Sequence, residues 1–506
     1  MKKAILIALI AMAASIVLSQ SQAFAGKKND TVVLADVTKL ETLDVLFAPH
    51  PAVVNLSKYY MDSLLWRKPG TRELLPCLAS SWKWVDDKTM EFDLKKGVLF
   101  HNGEEFNADD VVYSLNWMKD PANKVQIPMR VNWIEAVIKI DPYRVRIVCK
   151  KPHPIAPNQL LGLHIMPKEY HSTVGAKGFQ VKPVGTGPYK VESFSPGGKL
   201  VLVKNANYFK DSPKGQPKIG TIVYKPLPEL QTQIAEIMTG DVDWIWNVPS
   251  DQAEQLKKMP NVIVETRQTL RFIFMLMDAA GRTGENPFQN KKVREAVNYT
   301  INKQAICDNL LPGAQPLKAF CNPAQFGCFT DVFQYEYDPA MSKKLLAEAG
   351  YPDGFEVSLE VISKDLAPVI EAIIDDLNAV GIKARLTWLA PQTYIKNRRE
   401  GKQAFSVVDW GSGGIMDVDL TNQIFFTGGG YDYSRDEQLT ELTKVAGSTI
   451  DPEKRKEYYK SFFRNLSEEA YVVPLFVKPT NYVYNNELDL FTGDLEWPAF
   501  YRAGWK

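Results

Sequence analysis

Beginning at Asn107, apolar Val111, Leu115 and Met118 recur at helical spacing through ADDVVYSLNWMKD, which predicts an amphipathic helix capped by the Asn107 side chain. The same logic opens a helix at Asp338-Pro339, with Gly350 and Pro352 ending it. Pro368 opens another, apolar at Val369, Ile370, Ile373, Ile374 and Leu377, with Gly381 as its stop. Asp451-Pro452 starts a longer helix running to about Glu469. Between the helices lie strand-like runs. TVVLADV (31–37) is continuously apolar and predicts a buried strand, whereas EFDLKKGVLF (91–100) and RVRIVCK (144–150) alternate only in part. No internal repeat, low-complexity tract or long linker interrupts the pattern. The chain reads as α/β.

The N-terminus breaks the periodicity. Lys2 and Lys3 precede an apolar stretch from Ala4 to Leu18, and Ala23-Phe24-Ala25 forms an A-x-A cleavage site. This is the grammar of a secretory signal occupying residues 1–25, with Gly26 as the first mature residue. No later stretch is long and apolar enough to span a bilayer. The 506 residues therefore predict an exported protein with room for two or three domains.

Charge narrows the function. Sixty Lys and Arg nearly balance 59 Asp and Glu, so no general attraction to nucleic acid or anionic lipid is expected. Five cysteines are too few for a disulfide framework. Cys321 and Cys328 flank the short turn CNPAQFGC and form the expected pair, with Cys307 as the competing partner; Cys77 and Cys149 sit in apolar runs as buried thiols.

Enzyme signatures do not assemble. H-E-x-x-H, G-x-S-x-G and G-x-x-x-x-G-K-[ST] are missing. The GTG at 185–187 runs into Pro188-Tyr189 and predicts a turn instead of a dinucleotide fingerprint. The histidines (His50, His101, His153, His164 and His171) do not pair at metal-ligand spacing, and His101 in FHNG reads as a turn or surface residue. Paired acids such as Asp375-Asp376 suit solvated helix faces. No catalytic residue, metal ligand or cofactor is expected.

Five segments in order carry a resemblance. They are LETLDVLFAPH (40–50), LLPCLASSWKWVDDKTMEFDLKKGVLFHNGEEFNADDVVYSLNW (74–117), PVGTGPYKVESFSPGGKLVLVKNANYF (183–209), QNKKVREAVNYTINKQAICDNLLPGAQP (289–316) and YEYDPAMSKKLLAEAGYPDGFEV (335–357). Together the chain resembles the family 5 extracellular solute-binding proteins of ABC importers, the oligopeptide, dipeptide and nickel group. The resemblance implies a two-lobe periplasmic binding protein (class II, three-domain, cluster C-like) with a hinge and an interlobe cleft. It places one lobe at 26–55, 182–275 and 475–506, a smaller inserted domain at 56–181, and the second lobe at 276–474. It implies a monomer that carries a small organic solute to a membrane permease and ATPase. An exported hydrolase and a sensory or chaperone binding protein are the competing classes.

The candidate site follows from the resemblance. Peptide-binding relatives look to carry W-x-x-D, whose aspartate holds the peptide's α-ammonium by a charge-assisted bond. Here Trp410, Gly411 and Ser412 are followed by Gly413, and Asp417 and Asp419 match a later acidic turn. The ammonium clamp is lost unless the register slips and Asp417 serves in its place. Lys364 stands where dipeptide binders look to have an arginine for the C-terminal carboxylate, without the bidentate fork. Trp244 and Trp246 alternate onto one strand face, either core or cleft. Arg271 could pair an anionic ligand or a neighbouring carboxylate, and Met275 and Met277 suit either core or a variable ligand. Lys396, Arg398 and Arg399 predict a solvated basic face. These departures favour a ligand without a free α-ammonium: an opine-like or sugar conjugate, or a blocked peptide. Nickel chelate and ordinary peptide stay open.

Overall fold

A computed structural model describes residues 25–48, 50–490 and 497–506. The proposed signal segment lies almost wholly outside these residues. Helices and a large mixed sheet make up the molecule. From one edge, its strands run Ile382–Trp388, Phe355–Val361, Phe405–Trp410, Val262–Met277, Val472–Asn485, Trp244–Trp246, Thr31–Asp36, Thr221–Pro226, Leu200–Lys204 and Tyr189–Phe194, with short Gln315–Pro316 also against Val472–Asn485. Thr31–Asp36 is buried throughout and parallel to Thr221–Pro226, as a continuously apolar run requires.

Two strands dominate the architecture. Val262–Met277 and Val472–Asn485 run antiparallel, pairing Val262 with Asn485 at one end and Leu276 with Val472 at the other. The register breaks between Gln268 and Phe272, and Lys478 faces that break. Such an irregularity bends a strand and frees ladder groups. Beyond it, alternate side chains feed separate cores. Ile273, Met275 and Met277 enter one, with Val369, Ile370 and Ile373 of the helix Ala367–Ala379. Phe272, Phe274 and Leu276 enter another, with Phe425, Phe462 and Phe463. The placing of Met275 among the ligand-binding residues is thus corrected: strand alternation drives it and Met277 into core, Met275 fully buried.

A second, antiparallel sheet joins Ala79–Trp84, Thr89–Leu94, Arg144–Cys149 and Ile134–Asp141. The expected strand 91–100 is shorter because Gly97 takes a φ of 70° and turns the chain. The helix Ala108–Lys119 has the expected Asn107 cap, completed as a capping box by Asp110, and buries Val111, Leu115 and Met118. Helices Pro339–Glu348 and Pro452–Glu468 begin on Asp338 and Asp451, whose side chains accept from the first-turn N–H groups.

The GTG turn has a packing role. A Cβ on Gly185 would lie 2.1 Å from the Tyr60 carbonyl oxygen, and one on Gly187 2.5 Å from the Tyr60 carbonyl carbon. Only glycine lets this turn close on the helix Pro51–Tyr60. His101 is held in the same place, its Nε2 2.9 Å from the Gly187 carbonyl, and burial lowers its pKa to about 4. Cys321 and Cys328 are disulfide-bonded, and Cys77, Cys149 and Cys307 are buried free thiols.

Asp44 gives this fold a pH dependence. It is buried, its Oδ1 accepts from the Leu46 N–H, and its Oδ2 has no partner among the described residues. Burial raises its pKa to about 6, partly opposed by that N–H. The native state therefore holds the proton more tightly than the unfolded chain between about pH 4 and pH 6. Stability is present below that window and lost through it as pH rises, on the order of 3 kcal/mol in all. Urea midpoints of wild type and Asp44→Asn should differ little at pH 4.5, with the variant more stable at pH 7.5.

Candidate functional site

The loop after Phe405–Trp410 is built from three successive left-handed residues: Ser412 (φ 50°), Gly413 (φ 55°) and Gly414 (φ 79°). Glycine fits two of these positions at no steric cost. Ser412 bears the strain for a buried network. Its Oγ accepts from Gln325 Nε2 at 3.1 Å and lies 3.1 Å from Thr421 Oγ1. Trp410 Nε1 donates to the same Thr421 oxygen at 2.9 Å, and its ring stands edge-on to Phe425.

The disulfide segment braces the loop from behind. Gln325 also donates to the carbonyls of Ile415 and Asp417, and the Phe326 N–H to that of Met416. Asp417 is held by Arg455 in a buried fork, with Nη1 3.0 Å from Oδ2 and Nη2 3.0 Å from Oδ1. Asp419 lies beside it and accepts from Tyr459 Oη at 3.0 Å. Burial pushes both carboxyls up against the pull of Arg455, and Asp417 pushes Asp419 further. Asp417 is thus placed behind the loop with its oxygens committed. The expectation that it touches ligand is corrected by that pairing.

In front of the loop is a cavity of about 250 Å³. Trp410, Gly413, Gly414, Ile415, Leu420 and Ile424 form one wall; Trp66, Arg67, Ile127, Met129, Arg130 and Leu161 are on the facing side. The wall is mainly apolar. Its charged residues are Lys58, Arg67 and Arg130, with no Asp or Glu among the lining residues described. Arg67 spans the gap, donating from Nη1 to the Gly414 carbonyl at 2.7 Å. Arg130 sits between two glycines: a Cβ on Gly162 would lie 3.4 Å from its Nη1, and one on Gly413 3.9 Å from its Nη2. The residue is partly exposed at the cavity wall, and its partial burial lowers its pKa.

A second cavity, of about 300 Å³, adjoins the register break. Trp246, Arg271, Asp36, His50, Asp365 and Lys478 line it. Arg271 Nε donates to Asp409 at 2.8 Å, and Lys478 bridges Asp409 at 3.1 Å and Asp365 at 2.6 Å. Burial opposes ionisation of Asp409, but Arg271 and Lys478 outweigh it and hold its pKa below the usual carboxylate value. Trp246 is half-buried and donates to Asp36.

The structure therefore separates the expected residues. Trp410 and Gly413 meet at the first cavity, and Trp246 and Arg271 at the second. Ser412 is fully buried and supports the loop from within. Lys364 is exposed on the short turn Lys364–Leu366 and lines neither cavity. Trp244 is core: fully buried, it packs edge-on against Trp497 and Phe500 and stacks on Tyr482. The basic face 396–399 is corrected at Arg398, which is buried against the Tyr394 ring. Sequence reading missed Arg67 and Arg130. Arg130 lies in QIPMRVNW, where no periodicity marks it, and only the fold carries it to Gly413.

Among the described residues, no helix is long and apolar enough to cross a membrane, and no cluster of three His, Cys, Asp or Glu could hold a metal. A two-sided cavity on a mixed α/β scaffold is the geometry of a binding protein. Residues 73–432 match the model for bacterial extracellular solute-binding proteins, family 5 Middle, and the chain belongs to that family. It is, accordingly, a substrate-binding protein of an ABC transporter. It is similar to the glutathione-binding protein GsiB of Escherichia coli (strain K12), 28% identical over 494 residues and covering 93% of each chain. It is also similar to the structure of HbpA2 from Haemophilus parasuis, with 25% identity, a TM-score of 0.79, and coverage of 94% of this chain and 100% of that one. The fold is shared with MoaA from A. tumefacien R10 in complex with mannopinic acid, at 23% identity and a TM-score of 0.78, covering 94% and 99%.

Proposed function

We propose that the protein is an exported, periplasmic and monomeric carrier that encloses a small organic solute between two lobes and delivers it to a membrane permease and its ATPase. The observation that carries this reading is the cavity faced by Trp410 and Gly413 on one side and by Trp66 and Arg130 on the other. Val262–Met277 and Val472–Asn485 connect the two sides and share two register breaks, between Gln268 and Phe272 and between Ile273 and Phe274, which suits a hinge. We assign residues 26–55, 182–275 and 475–506 to one lobe, 56–181 to its inserted domain, and 276–474 to the other. Closure would bury the solute and give the permease a shape distinct from the open form. No bond is made or broken in this cycle.

The solute lacks a free α-ammonium at the Gly413 end. Gly413 offers no carboxylate there, and Asp417 is committed to Arg455. Opine-like conjugates and N-blocked peptides fit this description. A second reading, a glutathione-like peptide, is favoured by the similarity to GsiB across nearly the whole chain. Calorimetry separates the first reading from an ordinary peptide carrier and from the glutathione-like one, whose γ-glutamyl group keeps a free α-ammonium. Unmodified zwitterionic dipeptides should bind at least about 100-fold more weakly than their N-acetyl forms, a difference of about 2.7 kcal/mol. Tight binding of free dipeptides would overturn the reading.

A further inference from the structure

We propose that Arg130 is the specificity-determining anchor of the cavity, and that it selects a solute bearing an oxyanion, carboxylate or phosphate, on an apolar body. The inference rests on the solute-capture reading above and names its ligand class. Among the described residues no carboxylate lies within ion-pair distance of the Arg130 guanidinium and no side chain accepts from it; the Trp133 indole N–H donates only to the backbone carbonyl, at 2.7 Å. A guanidinium taken out of water without a counter-charge is costly, and a protein keeps one when a partner arrives from outside. Its flat fork matches a carboxylate or phosphate edge.

The surroundings agree. Gly162 and Gly413 flank the guanidinium, where a Cβ would come into van der Waals contact with it at 3.4 and 3.9 Å. Gly413 stands where a peptide-binding relative would place a carboxylate; here an acid would reach Arg130 and quench it. Lys58 and Arg67 line the same cavity, and no Asp or Glu is among its described lining residues. Trp66, Ile127, Met129, Leu161 and Ile424 would cover the apolar remainder of the solute.

The test compares wild type with Arg130→Met in the full mature chain, by thermal shift and calorimetry. Three probes are used: N-acetyl-Leu-Leu (carboxylate, blocked amine), n-hexyl phosphate, and Leu-Leu-amide (ammonium, no carboxylate). At least one anionic probe should raise the wild-type midpoint, the pair showing which oxyanion fits. Arg130→Met should weaken that probe roughly 30-fold or more. The ligand-free variant should melt roughly 1–2 °C above wild type, because a half-buried charge without a counter-ion is gone. Gly413→Asp should abolish the response to the anion while the protein still folds. A shift with Leu-Leu-amide alone leaves solute capture standing and overturns the anion anchor. An anion response unchanged by Arg130→Met also overturns it. If no probe binds, the ligand-free midpoints decide: a variant melting below wild type makes Arg130 structural and overturns the proposal, and one melting above supports a charge kept for a ligand.

Discussion

Arg455→Leu is expected to lower stability by about 3–5 kcal/mol, among the largest effects of any single change in the molecule. The reason is what it leaves behind. Asp417 is buried and both its oxygens are bound by the Arg455 fork. Without that fork, an uncompensated carboxyl remains, with Asp419 pressing on it from the side. Arg455 Nη2 also donates to Tyr459 Oη at 2.7 Å, which in turn donates to Asp419, so the loss spreads through the cluster. Urea unfolding measures the drop. The double variant Arg455→Leu, Asp417→Leu should recover much of it, since an apolar pair removes the orphaned charge. A double variant as unstable as the sum of its parts would contradict the assignment of cost to the unpaired acid. The loop Ser412–Gly414 should loosen with the same variant, because Asp417, Gln325 and the disulfide segment brace Ser412 and Gly413 from behind.

Trp244→Ala should cost about 3–5 kcal/mol as well, by emptying an aromatic-sized space in a packed core. Trp244 is fully buried between Trp497, Phe500 and Tyr482, where little can move in to fill the gap. Trp246, two residues on, behaves differently. It is half-buried at the second cavity, so Trp246→Ala should cost clearly less. The two denaturation midpoints, measured side by side, check this. Equal losses would mean that Trp246 is core like its neighbour.

That pair also marks where sequence stops being informative. Strand alternation correctly put Trp244 and Trp246 on one face, and they stack at 6.1 Å between ring centroids. It could not say how far along that face the core extends, because the covering rings come from Trp497 and Phe500 at the far end of the chain. Local chemistry was more legible. Asn107, Asp338 and Asp451 all cap the helices their sequences announce, since a cap depends on neighbours a few residues away. Cys321 and Cys328 were readable for the same reason. Asp417 was not: its partner Arg455 sits on a helix with no local signal joining the two. Arg130 was the most hidden. The residues flanking its guanidinium include Gly162 and Gly413, whose only local feature is having no side chain.

The central claim concerns what the cavity holds. Native mass spectrometry of the protein, purified gently from the cells that make it and then denatured to release its bound solute, tests it most directly. The account predicts a released solute with net negative charge, carrying a carboxylate or phosphate on an apolar body, and its disappearance from Arg130→Met. A zwitterionic dipeptide or a cationic solute, retained equally by wild type and Arg130→Met, would contradict it.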